Sequence, residues 1–100
     1  MVQGTTPTHS FTLPFPTESI KAVRIIYAQN DKPIIVKNTD DCTLQDNTVS
    51  VRLSQTETLS ISADNIYFVQ VRVVDRAGNS FVSKPIGRTV IKCYDGEVLV

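Results

Sequence analysis

The residues able to do chemistry in this chain are few, and their spacing decides what they can do. The single histidine, His9, stands between Thr8 and Ser10. A histidine base needs a nucleophile and an orienting carboxylate within reach. Ser10 is adjacent, but neighbours on a strand project to opposite faces and cannot form that pair, so a surface or strand-edge histidine is expected. Asp40-Asp41 and Asp95-Gly96-Glu97 are the acidic pairs. They lack the alternating oxygen spacing of a calcium loop and read as solvated loops. Asp75-Arg76-Ala77-Gly78-Asn79 resembles a ligand loop, yet each residue in it serves a tight turn. Arg24, Arg52 and Arg72 fall on strand-like segments and together could present a basic stripe. The chain has no glycine-rich phosphate loop, nucleophile elbow or metal-ligand cluster. No catalytic, cofactor-binding or metal-ligating residue is therefore assigned, no cofactor is implied, and an enzyme is not expected.

Composition narrows the class further. One hundred residues, 41% hydrophobic and 20% charged, fit one globular domain with a single core. Lys plus Arg and Asp plus Glu each number 10, giving zero formal charge, and the signs are interspersed. That balance supplies no field for nucleic acid or an anionic membrane, so neither is expected as a partner. Met1–Ser10 is polar, without the apolar core of a secretory signal, and implies synthesis in the cytoplasm without an N-terminal signal peptide. Cys42 and Cys93 are too far apart for a zinc knuckle or a redox pair. Two reduced, packed thiols fit that compartment; a disulfide joining mid-chain to the last strand is the alternative.

The elements that would position these residues are strands. In Ile66–Ser83, Tyr67, Val69, Val71 and Val73 fall on one face and Gln70 and Arg72 on the other, the alternation of a half-buried strand. Gly78 allows the turn to a returning strand. Upstream, His9–Leu13 reads as the first strand, stopped by Pro14 and Pro16. In Thr17–Ile20, a turn or a single helical turn, Thr17 could cap and Ile20 could plug one end of the core. Lys21–Gln29 carries apolar residues on both parities and reads as central. Asn30–Pro33 makes a turn, and Ile34–Lys37 returns as an edge strand. Cys42–Leu44 and Thr48–Leu53 form a second hairpin, with Val49, Val51 and Leu53 inward. Ser54–Asn65 reads as a cross-sheet connection pinned to the core by Leu59 and Ile61, and no segment of the chain reads as a helix of appreciable length. After Lys84-Pro85, Gly87–Cys93 is expected to resume the last strand with Val90 inward.

About seven short strands with frequent turn signals predict an all-β fold, an immunoglobulin-like two-sheet antiparallel β-sandwich. The expected organisation is a flexible or edge-docking leader over 1–8, the sandwich over 9–93 and a C-terminal tail over 94–100.

The order Phe11-Thr12-Leu13-Pro14, Val23-Arg24-Ile25-Ile26-Tyr27, hairpins at Asn30 and Asp46, Val69-Gln70-Val71-Arg72-Val73 and the Asp75–Asn79 turn resembles the small immunoglobulin-like sandwiches of phage tails and baseplates. It is most similar to the N-terminal domain of baseplate upper proteins and to short prophage-encoded proteins of gut Firmicutes. The resemblance implies a non-enzymatic virion structural or accessory module. Its partners would be tail or baseplate subunits, or a second copy, met through the leader or an edge strand. The receptor-proximal region that follows the sandwich in baseplate upper proteins is not matched. The other reading of the residues is a bacterial immunoglobulin-like surface or carbohydrate-binding module, for which Phe15, Phe68, Phe81 and Tyr94 are the candidate aromatics.

Overall fold

The computed structural model describes residues 1–100. The segment expected to lead the core does so: strand β6, Tyr67–Asp75, buries Tyr67, Val69, Val71 and Val73 and turns Phe68 and Arg72 outward. It pairs antiparallel with β2, Ile20–Gln29, in the register Val23↔Val73, Ile25↔Val71, Tyr27↔Val69. The two strands therefore send one continuous apolar row into the interior. β2 is central, with β3, Lys32–Asn38, on its other side. The loop between them is only Asn30-Asp31, shorter than the sequence suggested. Both residues have positive φ, 52° and 61°, the geometry that matches the twist of a two-residue hairpin.

The remaining strands complete two sheets. β1, Thr8–Thr12, pairs with β5, Thr48–Arg52, which pairs with β4, Cys42–Gln45. In the other sheet the order is β3-β2-β6-β7, with β7 at Ser80–Val82 and β8, Ile86–Arg88, also against β6. The chain changes sheet between β1 and β2, between β3 and β4, and between β5 and β6. This is the immunoglobulin-like Greek-key order. β1, β5 and β4 occupy the places of its B, E and D strands, and β3, β2, β6 and β7 those of C′, C, F and G. The strand that would precede β1 in the first sheet is missing, so one edge of β1 is unpaired.

The core lies between the sheets and joins Ile25, Tyr27, Val49, Val51, Leu53 and Ile61, all at most 2% exposed, to the β6 row. At about 1.5–3 kcal/mol for each well-buried side chain, this layer is the main stabilising term. Tyr27 and Tyr67 meet inside it at 6.0 Å between ring centres, within the range of favourable tilted aromatic pairs.

Three expectations need correction. Ser54–Asn65 contains a one-turn helix, α1, Gln55–Leu59. Ser54 Oγ accepts from Glu57 N at 3.1 Å and Glu57 Oε1 accepts from Ser54 N at 2.8 Å; this reciprocal cap satisfies the amides that otherwise penalise so short a helix. Thr17 caps nothing: it is buried and donates its hydroxyl to Asp46 O at 2.8 Å, tying the single turn after β1 to the β4–β5 hairpin. The last strand does not run on to Cys93. It ends at Arg88, and the segment beyond pairs with the first residues through a parallel bridge, Val2↔Ile91. There Gln3 N donates to Ile91 O and Ile91 N to Met1 O, at 3.0 and 2.8 Å. Pro85 cannot donate to the ladder, which accounts for the interruption between β7 and β8.

The first residues are held by side chains as well. The Gln3 amide donates to Ile61 O at 2.6 Å and accepts from Cys93 N at 3.0 Å. Thr58, wholly buried, accepts from Gly4 N and donates to Thr5 O. These bonds occupy the Gln3 side-chain amide, the Gly4 N–H and the Thr5 carbonyl within the chain itself.

Candidate interaction surface

The outer face of the larger sheet is built by the residues that alternate with the core. Because the odd-numbered residues of β2 and β6 point inward, Ile26 and Phe68 point outward, joined by Ile34 and Val36 from β3 and Val82 from β7. Ile34, Val36, Phe68 and Val82 are each at least 40% exposed. Phe68 stands opposite Gly87 of β8, and a Cβ placed on Gly87 would lie 3.1 Å from the Phe68 ring. Glycine therefore lets the ring lie flat over the backbone. Ile26 is the register neighbour of Val36, and Ala28 that of Phe68, with Gln70 among them; clustered exposed apolar residues mark contact sites on otherwise ordinary domains.

At one end of this face the apolar row gives way to charge. Arg24 and Arg72 are register partners on β2 and β6, with side chains exposed to solvent. Arg24 Nε donates to Asn38 Oδ1 at 2.9 Å. The chain's one ion pair joins other residues, Lys37 Nζ and Glu57 Oε2, at 2.7 Å. Like charges directly opposite on paired strands repel, so the two guanidiniums form a site that a carboxylate from outside would relieve. They line a shallow depression of about 230 Å³ with Asn38, Thr39 and Ser80. Arg52 is not part of it: it lies on β5 in the other sheet, where its guanidinium donates to Thr6 Oγ1. The expected stripe of three arginines is a pair.

His9 has a partner that the sequence did not identify. It sits on edge strand β1, but its ring turns inward and Nδ1 lies 2.6 Å from Tyr27 Oη across the sandwich. Burial lowers the His9 pKa from 6.5, and the positive amino terminus adds to the shift. Burial raises that of Tyr27, helped by the neighbouring Tyr67. Both groups are thus held neutral, which suits a structural hydrogen bond rather than proton transfer. Ser10 points the opposite way, to Ser50 Oγ at 2.9 Å.

The acidic pairs serve the backbone. Asp41 Oδ2 accepts from Asn38 N at 2.8 Å and closes the turn before β4. Asp95 Oδ1 accepts from Glu97 N. In the Asp75–Asn79 turn, Asp75 accepts from the Asn79 side chain and backbone, at 3.1 and 2.8 Å, and Gly78 has φ 90°. The Asn79 side-chain bond, followed by its backbone N–H, lowers the Asp75 pKa. Both cysteine thiols are free, and burial, then the Asp41 charge, raises the pKa of Cys42. No group of three His, Cys, Asp or Glu side chains is placed to hold a metal ion.

The aromatics considered for sugar stacking do not converge. Phe15 and Phe81 pack on each other at 5.1 Å, Phe68 covers Gly87, and Tyr94 is paired with the Lys92 ammonium at 5.5 Å. No helix is long and apolar enough to cross a membrane.

Sheet order and exposed face together define the class: an immunoglobulin-like antiparallel β-sandwich with an apolar outer sheet face. No family model and no curated protein sequence matches the chain. Among solved structures it is similar to the V domain of amphioxus IgVJ-C2, with 13% identity and a TM-score of 0.38, over 90% of this chain and 96% of that one.

Proposed function

We propose that this chain is a non-enzymatic protein-contact module of a phage virion, an accessory or structural part of a tail or baseplate, docking through the outer face of its larger sheet. The observation that carries the contact reading is the exposed set of Ile34, Val36 and Phe68 on the same face as two opposed arginines without a carboxylate partner, with Val82 beside Arg72. Such a face takes a partner surface that is apolar and bears an acidic side chain beside the apolar patch, so that burial supplies affinity and the Arg24–Arg72 pair sets register. The virion assignment rests on the sequence resemblance to baseplate sandwiches.

Quantitative mass spectrometry of particles purified from the source strain after prophage induction tests both parts. A fixed ratio of this polypeptide to the major tail subunit supports the virion reading, and its absence from complete particles refutes it. Arg24→Glu with Arg72→Glu should strip the chain from particles while leaving the isolated domain folded, because both side chains are exposed. Retention of the double variant at the wild-type ratio would refute the docking face.

A further inference from the structure

Four strand edges border the two sheets, and they are not equally guarded. β3 carries Lys32, Pro33 and Lys37 and a register break against Tyr27/Ala28. β4 is four residues long and follows Asp40 and Asp41. β7 and β8 are broken by Lys84 and Pro85. Short length, charge, proline and irregularity are the devices that prevent strands from adding to an edge. β1, Thr-His-Ser-Phe-Thr, carries no charge, no proline and no register break within its five residues.

The free edge of β1 has a definite polarity. Leu53 N donates to Pro7 O and Leu13 N to Asn47 O, bonds that bracket the β1–β5 register of His9↔Val51 and Phe11↔Val49. In an antiparallel ladder the bonded residues alternate, so residues 7, 9, 11 and 13 spend their backbone groups on β5. Thr8, Ser10 and Thr12 direct theirs outward, and none of these backbone groups has a partner among the side-chain or loop bonds. Beside this edge, between the sheets, runs a groove of about 530 Å³ lined by Phe11, Leu13, Tyr67, Val71, Ile86 and Arg88.

We propose that β1 is a self-pairing edge, at which a second copy of this chain adds its own β1 antiparallel about a two-fold axis at Ser10. The outward set is palindromic about that axis: Thr8 meets Thr12 of the second copy, Ser10 meets Ser10, and Thr12 meets Thr8. Each such pair exchanges two backbone bonds, about six in all. The strand has no charge, so its meeting with itself brings no repulsion, and Thr–Thr neighbours across strands are favourable. On the inner side, Phe11 of each copy stands opposite His9 of the other and extends the apolar cover of the groove. Isologous pairing of this kind closes at two copies and forms no fibre. The site is separate from the outer sheet face, and its test does not depend on that face.

Sedimentation equilibrium of the full chain, combined with amide exchange, decides the matter. The wild type should approach twice the monomer mass with rising concentration, and the Thr8, Ser10 and Thr12 amides should become protected as it does. Ser10→Pro removes an outward N–H and none of the β1–β5 bonds, and Ser10→Lys places two ammonium groups at the axis. Each should raise the dimer dissociation constant at least about tenfold and restore fast exchange at Thr8 and Thr12. Far-ultraviolet circular dichroism identifies any variant that fails to fold, and Ser10→Lys, at an exposed side chain, is the safer of the two. A chain that stays monomeric to about 1 mM, or a dimer that survives both substitutions, overturns the proposal. So does a monomer whose β1 amides become protected only inside assembled particles, which would assign the edge to another protein's strand.

Discussion

Gln29 ends β2 and is 4% exposed, a buried amide at the junction of sheet and connection. Its Nε2 donates to Ser62 O at 2.8 Å and Asn65 O at 3.1 Å, and its Oε1 accepts from Ser62 N at 2.8 Å. One side chain thereby satisfies three backbone groups of the segment leading into β6. Gln29→Met keeps length and flexibility and removes every polar atom. Asn65 is exposed and can turn to water, whereas Ser62 is half-buried, so two backbone groups lose their partners. Each shielded, unsatisfied group costs about 1–3 kcal/mol. Burying a more apolar side chain offsets about 1 kcal/mol of that. The net loss is about 3 kcal/mol, or a fall in Tm of about 12–24 °C for a domain of this size. Urea unfolding followed by far-ultraviolet circular dichroism measures it, with an unchanged slope showing that the folded and unfolded states are otherwise alike. Gln29→Glu sharpens the comparison. Its carboxylate faces two carbonyls at neutral pH and should destabilise more than methionine, then recover part of the loss once protonated. A loss below about 0.5 kcal/mol for Gln29→Met would refute the view that this amide is what holds residues 62–65 in place.

Lys37 and Glu57 separate an ion pair from a helix cap. Lys37→Met removes only the 2.7 Å pair and should cost less than about 1 kcal/mol, since both side chains keep some exposure. Glu57→Ala also removes the acceptor for Ser54 N and should cost about 0.5–2 kcal/mol more; equal losses in urea titrations would disprove the cap's contribution. For His9, whose folded pKa lies below 6.5, the unfolded chain takes up a proton at a pH where the folded chain does not. Its contribution to stability is therefore complete above pH 6.5 and falls as the pH drops below it. His9→Gln should flatten the stability profile between about pH 7 and pH 5, and an unaltered slope would contradict the buried, neutral assignment.

The strands were legible because two of them carry their whole pattern locally. β6 alternates cleanly, and β2 is apolar on both parities, with Val23, Ile25 and Tyr27 toward the core and Ile26 and Ala28 half-buried on the outer face. The turns at Asn30-Asp31 and Gly78 were readable for an equally local reason, residues that accept positive φ. The helix at Gln55–Leu59 was missed although its signal was present, as Ser54-Gln55-Thr56-Glu57 is the spacing of a reciprocal cap. A Ser/Thr-rich stretch of low helix propensity hid it. The His9–Tyr27 bond was not legible at all. It depends on which face of β1 turns inward and on two sheets stacking so that residues 18 apart meet. The outer face was visible only in part: the second apolar parity of β2 marked it as central, while the partnerless pairing of Arg24 with Arg72 needed the β2–β6 register.

The bridge between Val2 and Ile91 bears on how the chain is made. During synthesis β1 must wait for β5, some forty residues later. The β2–β3 hairpin, closed by two residues, can form at once, whereas Gln3 waits for Ile61 and the Val2 bridge waits for Ile91. Contacts this distant in sequence are the slow ones, because the loop must close before they are rewarded. The uncharged strand β1 therefore stays unpaired until β5 is made, and of these pairings the Val2–Ile91 bridge is the last whose two partners are both present.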